Sequence, residues 1–299
     1  MNNYGNKLKN MISVILIVKN DRKIEKTLAA LEKVQKPQKT EIIVVDASEG
    51  QLNGIKNKHT DINWITFENK NKKKTTIPDQ RNAGIKAARG NIIVFIDSDC
   101  KPEKDWLLEI TKYIIDGSEN IVAGRVVVDD KNSPHEIETE KNLHETYIGE
   151  CPTMNVAYSI DLFKTIGLFD ENFRYGSDVD ISWRAIQAGY KIRFNPEAII
   201  YHDLGDNKNN LRRMYDYGKA RVDLYKKHSY RWKTFIGNEM LTILYPLFFI
   251  LLPVTLFFPF YPLLILIPIL RYWKRKPLQQ LPLRTMYGLG ILKQMIDII

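Results

Sequence analysis

The first half of the chain alternates short apolar runs with longer polar stretches, a pattern that predicts buried strands separated by helices. The apolar runs are rich in β-branched residues, which suits strands that are covered on both faces. This β-α-β rhythm predicts a mostly parallel sheet with helices on both of its faces. Strands are predicted at 12–18, 41–45, 64–67 and 91–96, and helices at 23–33, 79–89 and 105–115.

The second half is more mixed, with strands predicted at 121–128 and 198–201 and helices at 159–167 and 178–188. Two aspartates, Asp46 and Asp97, directly follow predicted buried strands. In open parallel sheets, ligands bind at the carboxyl ends of the strands. The topology alone therefore indicates a ligand site that includes these two side chains.

Residues 240–270 include no charged residue across 31 positions, more than the roughly 20 residues that span a bilayer. Five prolines interrupt this segment, so one straight helix is not expected. A hairpin that turns near 259–262, a kinked single span and a buried helical pair all stay open. We predict a domain at 1–232 and a membrane-associated region at 233–299, ending in an interfacial helix (283–299) with Arg284 and Lys293 on its polar side.

The length and composition indicate the domain size and the cellular compartment that suit this chain. The 299 residues suffice for one large α/β domain and a smaller appendage. The two cysteines, Cys100 and Cys151, are too few for a disulfide framework, and no CxxC pair is present to hold zinc. A reduced compartment fits best, and the first apolar run is too short for a signal peptide. We therefore expect the N-terminal domain to be cytoplasmic.

The net charge of +9 is compatible with nucleic acid, anionic lipid or phosphorylated substrates as partners. No nucleic-acid-binding motif is recognisable, so no nucleic acid partner is expected. Basic residues on both sides of the apolar segment favour the cell membrane; they are Arg212, Arg213, Lys226, Lys227, Arg231, Lys233, Arg271, Lys274, Arg275 and Lys276. The loop lysines Lys70, Lys72, Lys73 and Lys74 form either a solvated surface or a phosphate-attracting rim.

Several polar residues have the side-chain types and positions that metal binding and proton transfer require. Asp97, Ser98 and Asp99 follow a buried strand, and paired carboxylates there can hold Mg²⁺ or Mn²⁺. Asp178 lies at the N-terminus of a predicted helix, whose dipole favours an ionised carboxylate that can accept a proton. Simple helix capping explains Asp178 equally well.

For each of three further residues, the sequence is compatible with two roles. Asp46 is either a hydrogen-bond acceptor for a nucleobase or ribose, or a turn residue. Arg81 is either a phosphate or base contact, or a surface arginine paired with a carboxylate. His202 follows a short strand and is either a ligand for an ion such as Mn²⁺ or a structural histidine.

Seven sequence stretches, taken in their order along the chain, resemble glycosyltransferase family 2. Members of this family are inverting enzymes with the GT-A fold, an α/β class with a Rossmann-like sheet. The similarity covers roughly residues 11–205. Its stretches are ISVILIVKN (12–20), EIIVVDAS (41–48), RNAGIKAARG (81–90), NIIVFIDSD (91–99), GLFDENF (167–173), GSDVDISWR (176–184) and GYKIRFN (189–195), closing at His202.

The resemblance implies a role for each matching residue. Asp178 is the expected catalytic base, with Asp180 supporting it. Asp97, Asp99 and His202 are the expected metal ligands, for Mg²⁺ or Mn²⁺. The expected nucleotide-sugar-binding residues are Val18, Asn20, Asp46, Arg81, Asp97, Ser98 and Asn155.

The implied activity is hexosyl transfer from a nucleotide-sugar donor to a lipid-linked or glycan acceptor at the membrane. The chain departs from the family pattern at Ala47, at Ser177 and at Thr153-Met154, where acidic or small residues are common. A dinucleotide-dependent oxidoreductase would require a glycine-rich turn after the first strand, and none is present. A catalytically inactive membrane-attached scaffold of the same fold is the alternative.

Overall fold

The computed structural model describes residues 8–68, 76–128, 144–203, 210–271 and 277–298. These residues fall into two compact units, which divide between 203 and 210. The predicted boundary, after residue 232, lies further along the chain than this division. The predicted loop lysines 70 and 72–74 and the basic residues 274–276 lie outside the described residues.

The first unit contains a nine-stranded sheet. Its strands are β1 (Leu8–Val18), β2 (Lys39–Asp46), β3 (Asn63–Thr66), β4 (Gly90–Ile96), β5 (Cys100–Pro102), β6 (Ile121–Val128), β7 (Thr146–Ile148), β8 (Asn155–Ser159) and β9 (Ile192–His202). Every strand predicted from the sequence is present, while β5, β7 and β8 were not predicted.

The sheet is mixed, which corrects the prediction of a mostly parallel one. The strands follow the order β3-β2-β1-β4-β8-β6-β9-β5, and β7 pairs with β9. The β3-β2-β1-β4 half is parallel, as predicted, but β8 pairs antiparallel with both β4 and β6. The antiparallel pairs arise from the short strands that the periodicity did not reveal, because three to five residues carry too little pattern.

Helices cover both faces of this sheet. They are α1 (Ile24–Leu31), α2 (Asn53–Lys56), α3 (Ile77–Ala87), α4 (Trp106–Ile115), α5 (Ile160–Ile166) and α6 (Ser177–Gln187). Alternate residues of β1 enter two separate apolar clusters, one with Leu16 and Trp106 and the other with Ile15 and Phe163. The first strand therefore has a core on each side, as its continuous apolar run predicted.

The second unit is helical. It contains α7 (Asn210–Lys227), α8 (Trp232–Asn238), α9 (Met240–Ile250), α10 (Leu266–Arg271) and α11 (Pro277–Ile298), with 3₁₀ turns at Ser229–Arg231, Leu252–Leu256 and Tyr261–Ile265. Helix α7 packs along α11, and this contact assigns α7 to the second unit. Among the helices of the described residues, none combines the length and the apolar character that crossing a bilayer requires.

The apolar segment 240–271, which we call the apolar hairpin, turns back on itself. The Tyr261 ring stacks on Phe248 with centroids 5.3 Å apart, and the Tyr261 hydroxyl donates to the Phe248 carbonyl at 3.1 Å. Residues 256–260 form its apex, where Leu256 and Phe257 are 83% and 81% exposed.

Helix α11 begins before the predicted interfacial helix and packs closely on its neighbours. A Cβ atom at Gly290 would lie 2.1 Å from the Tyr215 carbonyl of α7, and one at Gly288 would lie 2.4 Å from the Thr242 carbonyl of α9. Glycine therefore allows the backbones to approach at both points. Since one face of α11 is covered in this way, its placement at a membrane interface stays a prediction.

Candidate active site

Three parallel strands bring the predicted site residues to one edge of the sheet. Val18, at the end of β1, pairs in register with Asp46, at the end of β2, and Asp97 directly follows β4. The carboxyl ends of these strands therefore meet, as the sequence analysis expected. Beyond β1, Asn20 has a positive φ of 57°, so the chain turns sharply here.

The carboxylate of Asp46 is held in a fixed orientation. Its Oδ1 accepts a hydrogen bond from the Ser48 amide at 2.8 Å, and its Oδ2 accepts from Trp64 Nε1 at 3.0 Å. The Ser48 hydroxyl in turn accepts from the Asn20 amide at 2.7 Å. Asp46 is only 3% exposed, so these contacts and not water fix its position. Contact between Asp46 and a nucleobase stays a prediction.

Asp99 and His202 lie together, as expected for shared metal ligands. His202 Nε2 is 3.3 Å from Asp99 Oδ2. Burial opposes protonation of the imidazole, but the hydrogen bond and the charge of Asp99 outweigh it and raise the pKa of His202. The Cys100 thiol belongs to the same group, since one ligand atom from each of the three residues lies within 4.8 Å of the others. This mixed donor set fits a divalent cation.

Asp97, the third predicted metal ligand, faces a cation instead. Its Oδ1 lies 3.9 Å from Arg81 Nη2. Burial raises the pKa of Asp97, and the positive charge of Arg81 opposes this shift. Ser98 is buried between the two aspartates, and its carbonyl accepts a hydrogen bond from the Thr27 hydroxyl of α1 at 2.8 Å.

Asp178 lies in the first turn of α6, which follows Gly176 in the left-handed conformation at φ 77°. Its Oδ1 accepts a hydrogen bond from the Val179 amide at 3.0 Å. Burial raises the pKa of Asp178, while the Arg81 guanidinium lowers it. Arg81 also lies 3.5 Å from the Ser177 hydroxyl, so one guanidinium contacts both Asp97 and the start of α6.

The other predicted catalytic residue, Asp180, is fully buried and holds the loop that precedes α6. Its Oδ2 accepts from Arg184 Nε at 2.9 Å. The same guanidinium donates to the carbonyls of Ile166 and Leu168, the latter at 2.8 Å. Asp180 therefore supports the site through Arg184 rather than by direct access to a substrate.

Asn82 holds the same end of this loop, next to the residues that Arg184 contacts. Its amide nitrogen donates to the Phe169 carbonyl at 2.9 Å, and its oxygen accepts from the Phe169 amide at 3.0 Å. The Arg81 guanidinium lies over the Phe169 ring, and its Cζ atom is 5.6 Å from the ring centroid. The neighbours Arg81 and Asn82 thus act together on the loop.

Asn155 lies in the interior. It is 0% exposed, its amide donates to the carbonyls of Arg125 and Ala198 at 2.8 Å, and its oxygen accepts from Trp106 Nε1 at 2.8 Å. These bonds connect β8 with its neighbours, so Asn155 has a structural role in this arrangement. Its contact with a sugar donor stays a prediction.

Sequence reasoning did not assign Trp64, Cys100 or Phe169 to the site. Trp64 lies on β3, next to β2 in the parallel half of the sheet, and this adjacency was predictable. Cys100 follows the Asp-Ser-Asp motif directly, but its proximity to His202 depends on the unpredicted strand β5. Phe169 reaches the site through a loop whose path no local pattern reveals.

Comparison with known proteins gives consistent matches. Residues 13–167 match the family model described as Glycosyl transferase family 2. The pre-mycofactocin glycosyltransferase of Mycobacterium tuberculosis is 28% identical over 165 residues, which cover 50% of this chain and 34% of that protein. Glycosyltransferase AglE of Haloferax volcanii is 27% identical over 230 residues, covering 72% of this chain and 74% of that protein.

A solved structure shares the fold. TarS of S. aureus matches with a TM-score of 0.53 at 17% identity, covering 69% of this chain and 39% of that one. This likeness supports the predicted GT-A-like α/β fold, with a mixed rather than a mostly parallel sheet. The chain spans only about a third of the mycobacterial relative's length.

Proposed function

The chain belongs to glycosyl transferase family 2, and from this premise we propose that it transfers a hexosyl group from a nucleotide-diphosphate sugar to a lipid-linked or cell-envelope glycan acceptor. The reaction is a single displacement at the anomeric carbon. The acceptor hydroxyl forms the new bond as the bond to the diphosphate breaks, so the anomeric configuration inverts.

The observation that carries this proposal is that one arginine, Arg81, acts on both acidic positions. Its Nη2 lies 3.9 Å from Asp97 Oδ1, its Nη1 lies 3.5 Å from the hydroxyl of Ser177, and its charge lowers the pKa of the next residue, Asp178. A displacement reaction requires a leaving-group site and a base on opposite sides of the sugar, held in a fixed relation. This arrangement supports both functions within one edge of the sheet.

Asp178 is the proposed base. The N-terminus of α6 and the charge of Arg81 favour its ionised form, while burial raises its pKa. A carboxylate whose pKa is raised is a better proton acceptor when it is ionised. In the proposed step, the proton of the acceptor hydroxyl moves to a carboxylate oxygen of Asp178.

Asp99 and His202, with Asp97 close by, are the residues proposed to hold Mg²⁺ or Mn²⁺. When bound, such an ion supplies positive charge that stabilises the leaving nucleoside diphosphate. Asp46, oriented by Trp64 and Ser48, is proposed to accept a hydrogen bond from the donor's base.

A membrane location for the reaction is supported by the second unit. Residues 205–299 contain 15 lysines and arginines against 5 aspartates and glutamates, a net charge of +10 in a chain whose total is +9. The apolar hairpin exposes large apolar side chains in the same unit. Positive charge beside exposed apolar surface is typical of proteins that bind anionic lipid at the cytoplasmic face of a membrane.

Calorimetric titration with a panel of nucleoside diphosphates tests the proposal, with Mn²⁺ and with a chelator. We expect one nucleotide to bind in the presence of Mn²⁺ only, and Asp99→Ala to abolish this binding. Asp178→Asn should bind the same nucleotide with an unchanged Kd, yet lose transfer by at least about a thousandfold, because it removes the base.

Lys164→Gln is the matched control, since Lys164 lies on the exposed side of α5 and pairs with Asp161. It should change neither binding nor transfer. Full transfer by Asp178→Asn would remove Asp178 as the base. Failure of every nucleotide to bind would favour the inactive scaffold.

A further inference from the structure

Three different donor atoms meet where β5 pairs with β9. Cys100 lies directly opposite His202 in this antiparallel pair, and Asp99 precedes Cys100. Cys100 Sγ is 3.8 Å from Asp99 Oδ1, and His202 Nε2 is 3.3 Å from Asp99 Oδ2. The group therefore offers sulfur, oxygen and nitrogen at one place, whereas an Asp-x-Asp motif alone offers oxygen.

The donor set is one that zinc sites use. Zn²⁺ is bound by cysteine sulfur, histidine nitrogen and carboxylate oxygen, and one such atom from each of Asp99, Cys100 and His202 lies within 4.8 Å of the others. Mg²⁺ gains little from a thiol, because it prefers oxygen ligands. The donor set thus favours a softer ion than Mg²⁺ or Mn²⁺.

A second observation concerns the imidazole. His202 is 8% exposed, and its Nδ1 has no hydrogen-bond partner among the described residues. A buried polar atom without a partner is costly in a purely structural role. The described residues therefore do not hold the imidazole at Nδ1, while its other nitrogen, Nε2, faces Asp99 within the donor group.

We propose that Asp99, Cys100 and His202 form a Zn²⁺-selective site, with the Cys100 sulfur as a ligand, and that Zn²⁺ bound there excludes the Mg²⁺ or Mn²⁺ used in transfer. As the Zn–S bond forms, the S–H bond breaks and its proton passes to solvent. Zn²⁺ is thus an inhibitor of this enzyme. Only the inhibition rests on the proposed function; the binding of Zn²⁺ does not.

The chain provides a matched control in its second cysteine. Cys151 is also buried, and its thiol lies 3.8 Å from the Ser182 hydroxyl. Cys151→Ser and Cys100→Ser make the same chemical change in two buried thiols, and only Cys100 belongs to the donor group.

Titration of the full chain with Co²⁺, a spectroscopic substitute for Zn²⁺, tests the ligand set without nucleotide or acceptor. We expect a thiolate-to-cobalt charge-transfer band in the wild type and in Cys151→Ser, and its loss in Cys100→Ser. Competition with a chromophoric zinc chelator should show a Zn²⁺ Kd at least tenfold weaker in Cys100→Ser. Its Mn²⁺ Kd should change less than twofold.

His202→Ala provides a second variant, whose affinity for Zn²⁺ should also be at least tenfold weaker. Circular dichroism establishes that each variant is folded. An unchanged Zn²⁺ Kd in folded Cys100→Ser, or a wild type without the charge-transfer band, would overturn the proposal. A cobalt band in a protein that transfers no sugar would refute the proposed function and leave the zinc site standing.

Discussion

At the scale of single residues, Arg81 determines the electrostatics of the site. Its side chain is 8% exposed, and it lies between Asp97 and the start of α6, above the Phe169 ring. Little water screens its charge there, so it favours the ionised form of both carboxyls. The sequence identified Arg81 as a site residue, but its contact with Ser177, 96 positions away, depends on the tertiary fold.

Replacing Arg81 should therefore change the pH dependence of transfer. Arg81→Gln removes the charge that lowers the pKa of Asp178, so this pKa rises further. Because the proposed base acts in its ionised form, the acid limb of the kcat/KM profile should move to higher pH. Loss of the fixed geometry should also reduce kcat by about a hundredfold.

Arg81→Lys separates charge from shape. This variant keeps the positive charge, so the acid limb of its kcat/KM profile should stay closer to that of the wild type. Its kcat should still fall, because the lysine ammonium cannot make the paired N–H contacts of a planar guanidinium. An acid limb that is identical in wild type and Arg81→Gln would show that Arg81 does not act on the base.

At the scale of elements, the long apolar runs predicted β1, β2, β4 and β6 to within a few residues. Burial on both faces gives such strands a strong signal. The short strands β5, β7 and β8 escaped detection, because three to five residues form strands only through pairing with distant partners. The position of Asp97 directly after β4 was thus predictable, whereas the meeting of Cys100 with His202 was not.

Glu41 joins several of these elements at the amino end of the sheet. Its Oε1 accepts from the Ser13 hydroxyl of β1 and from the Arg89 amide, both at 2.6 Å, and its Oε2 accepts from Arg89 Nε at 2.7 Å. Burial opposes ionisation, but these hydrogen bonds outweigh it and lower the pKa of Glu41. The carboxylate therefore stabilises the folded state.

Glu41→Gln should lower the free energy of unfolding by about 2 kcal/mol at neutral pH, the usual effect of losing a buried charged hydrogen bond. The folded-state pKa is depressed, so the stabilisation is present above the unfolded-state pKa and is lost as the pH falls through the folded-state pKa. Urea unfolding of both proteins at neutral and acidic pH should show the difference shrinking on acidification.

Glu25→Gln is the matched control, because Glu25 is also paired with a basic residue, Lys58, but at the surface. Surface ion pairs contribute little, so no measurable change in stability is expected. Equal stability of Glu41→Gln and the wild type at neutral pH would contradict this account.

At the scale of the whole molecule, charge and apolar surface are unevenly distributed. The net charge of +10 in residues 205–299 leaves the rest of the chain at −1. The sequence predicted the apolar segment and its basic flanks, and the structure describes a turn within it at residues 256–260. The order of short helices and 3₁₀ turns within the segment was not predictable, because five prolines allow many ways of breaking a helix.

This distribution predicts binding to anionic vesicles through two separable contributions. The full chain should sediment with vesicles of phosphatidylcholine and phosphatidylserine, and binding should weaken between about 0.1 M and about 1 M salt, as the Debye length falls from about 10 Å to about 3 Å. Binding that remains at high salt should depend on the apolar hairpin, since insertion of apolar side chains is not screened.

The double substitution Phe257→Ser and Phe258→Ser isolates the apolar contribution. Both rings are exposed at the hairpin apex, so their loss should leave the fold intact. Burying one phenylalanine in lipid is worth about 1.5–3 kcal/mol, so vesicle affinity should fall at least about a hundredfold. Leu108→Ser, an exposed apolar residue of α4, should have no effect. Unchanged vesicle affinity in the double variant would mean that the apex does not enter lipid, and vesicle binding would then rest on charge alone.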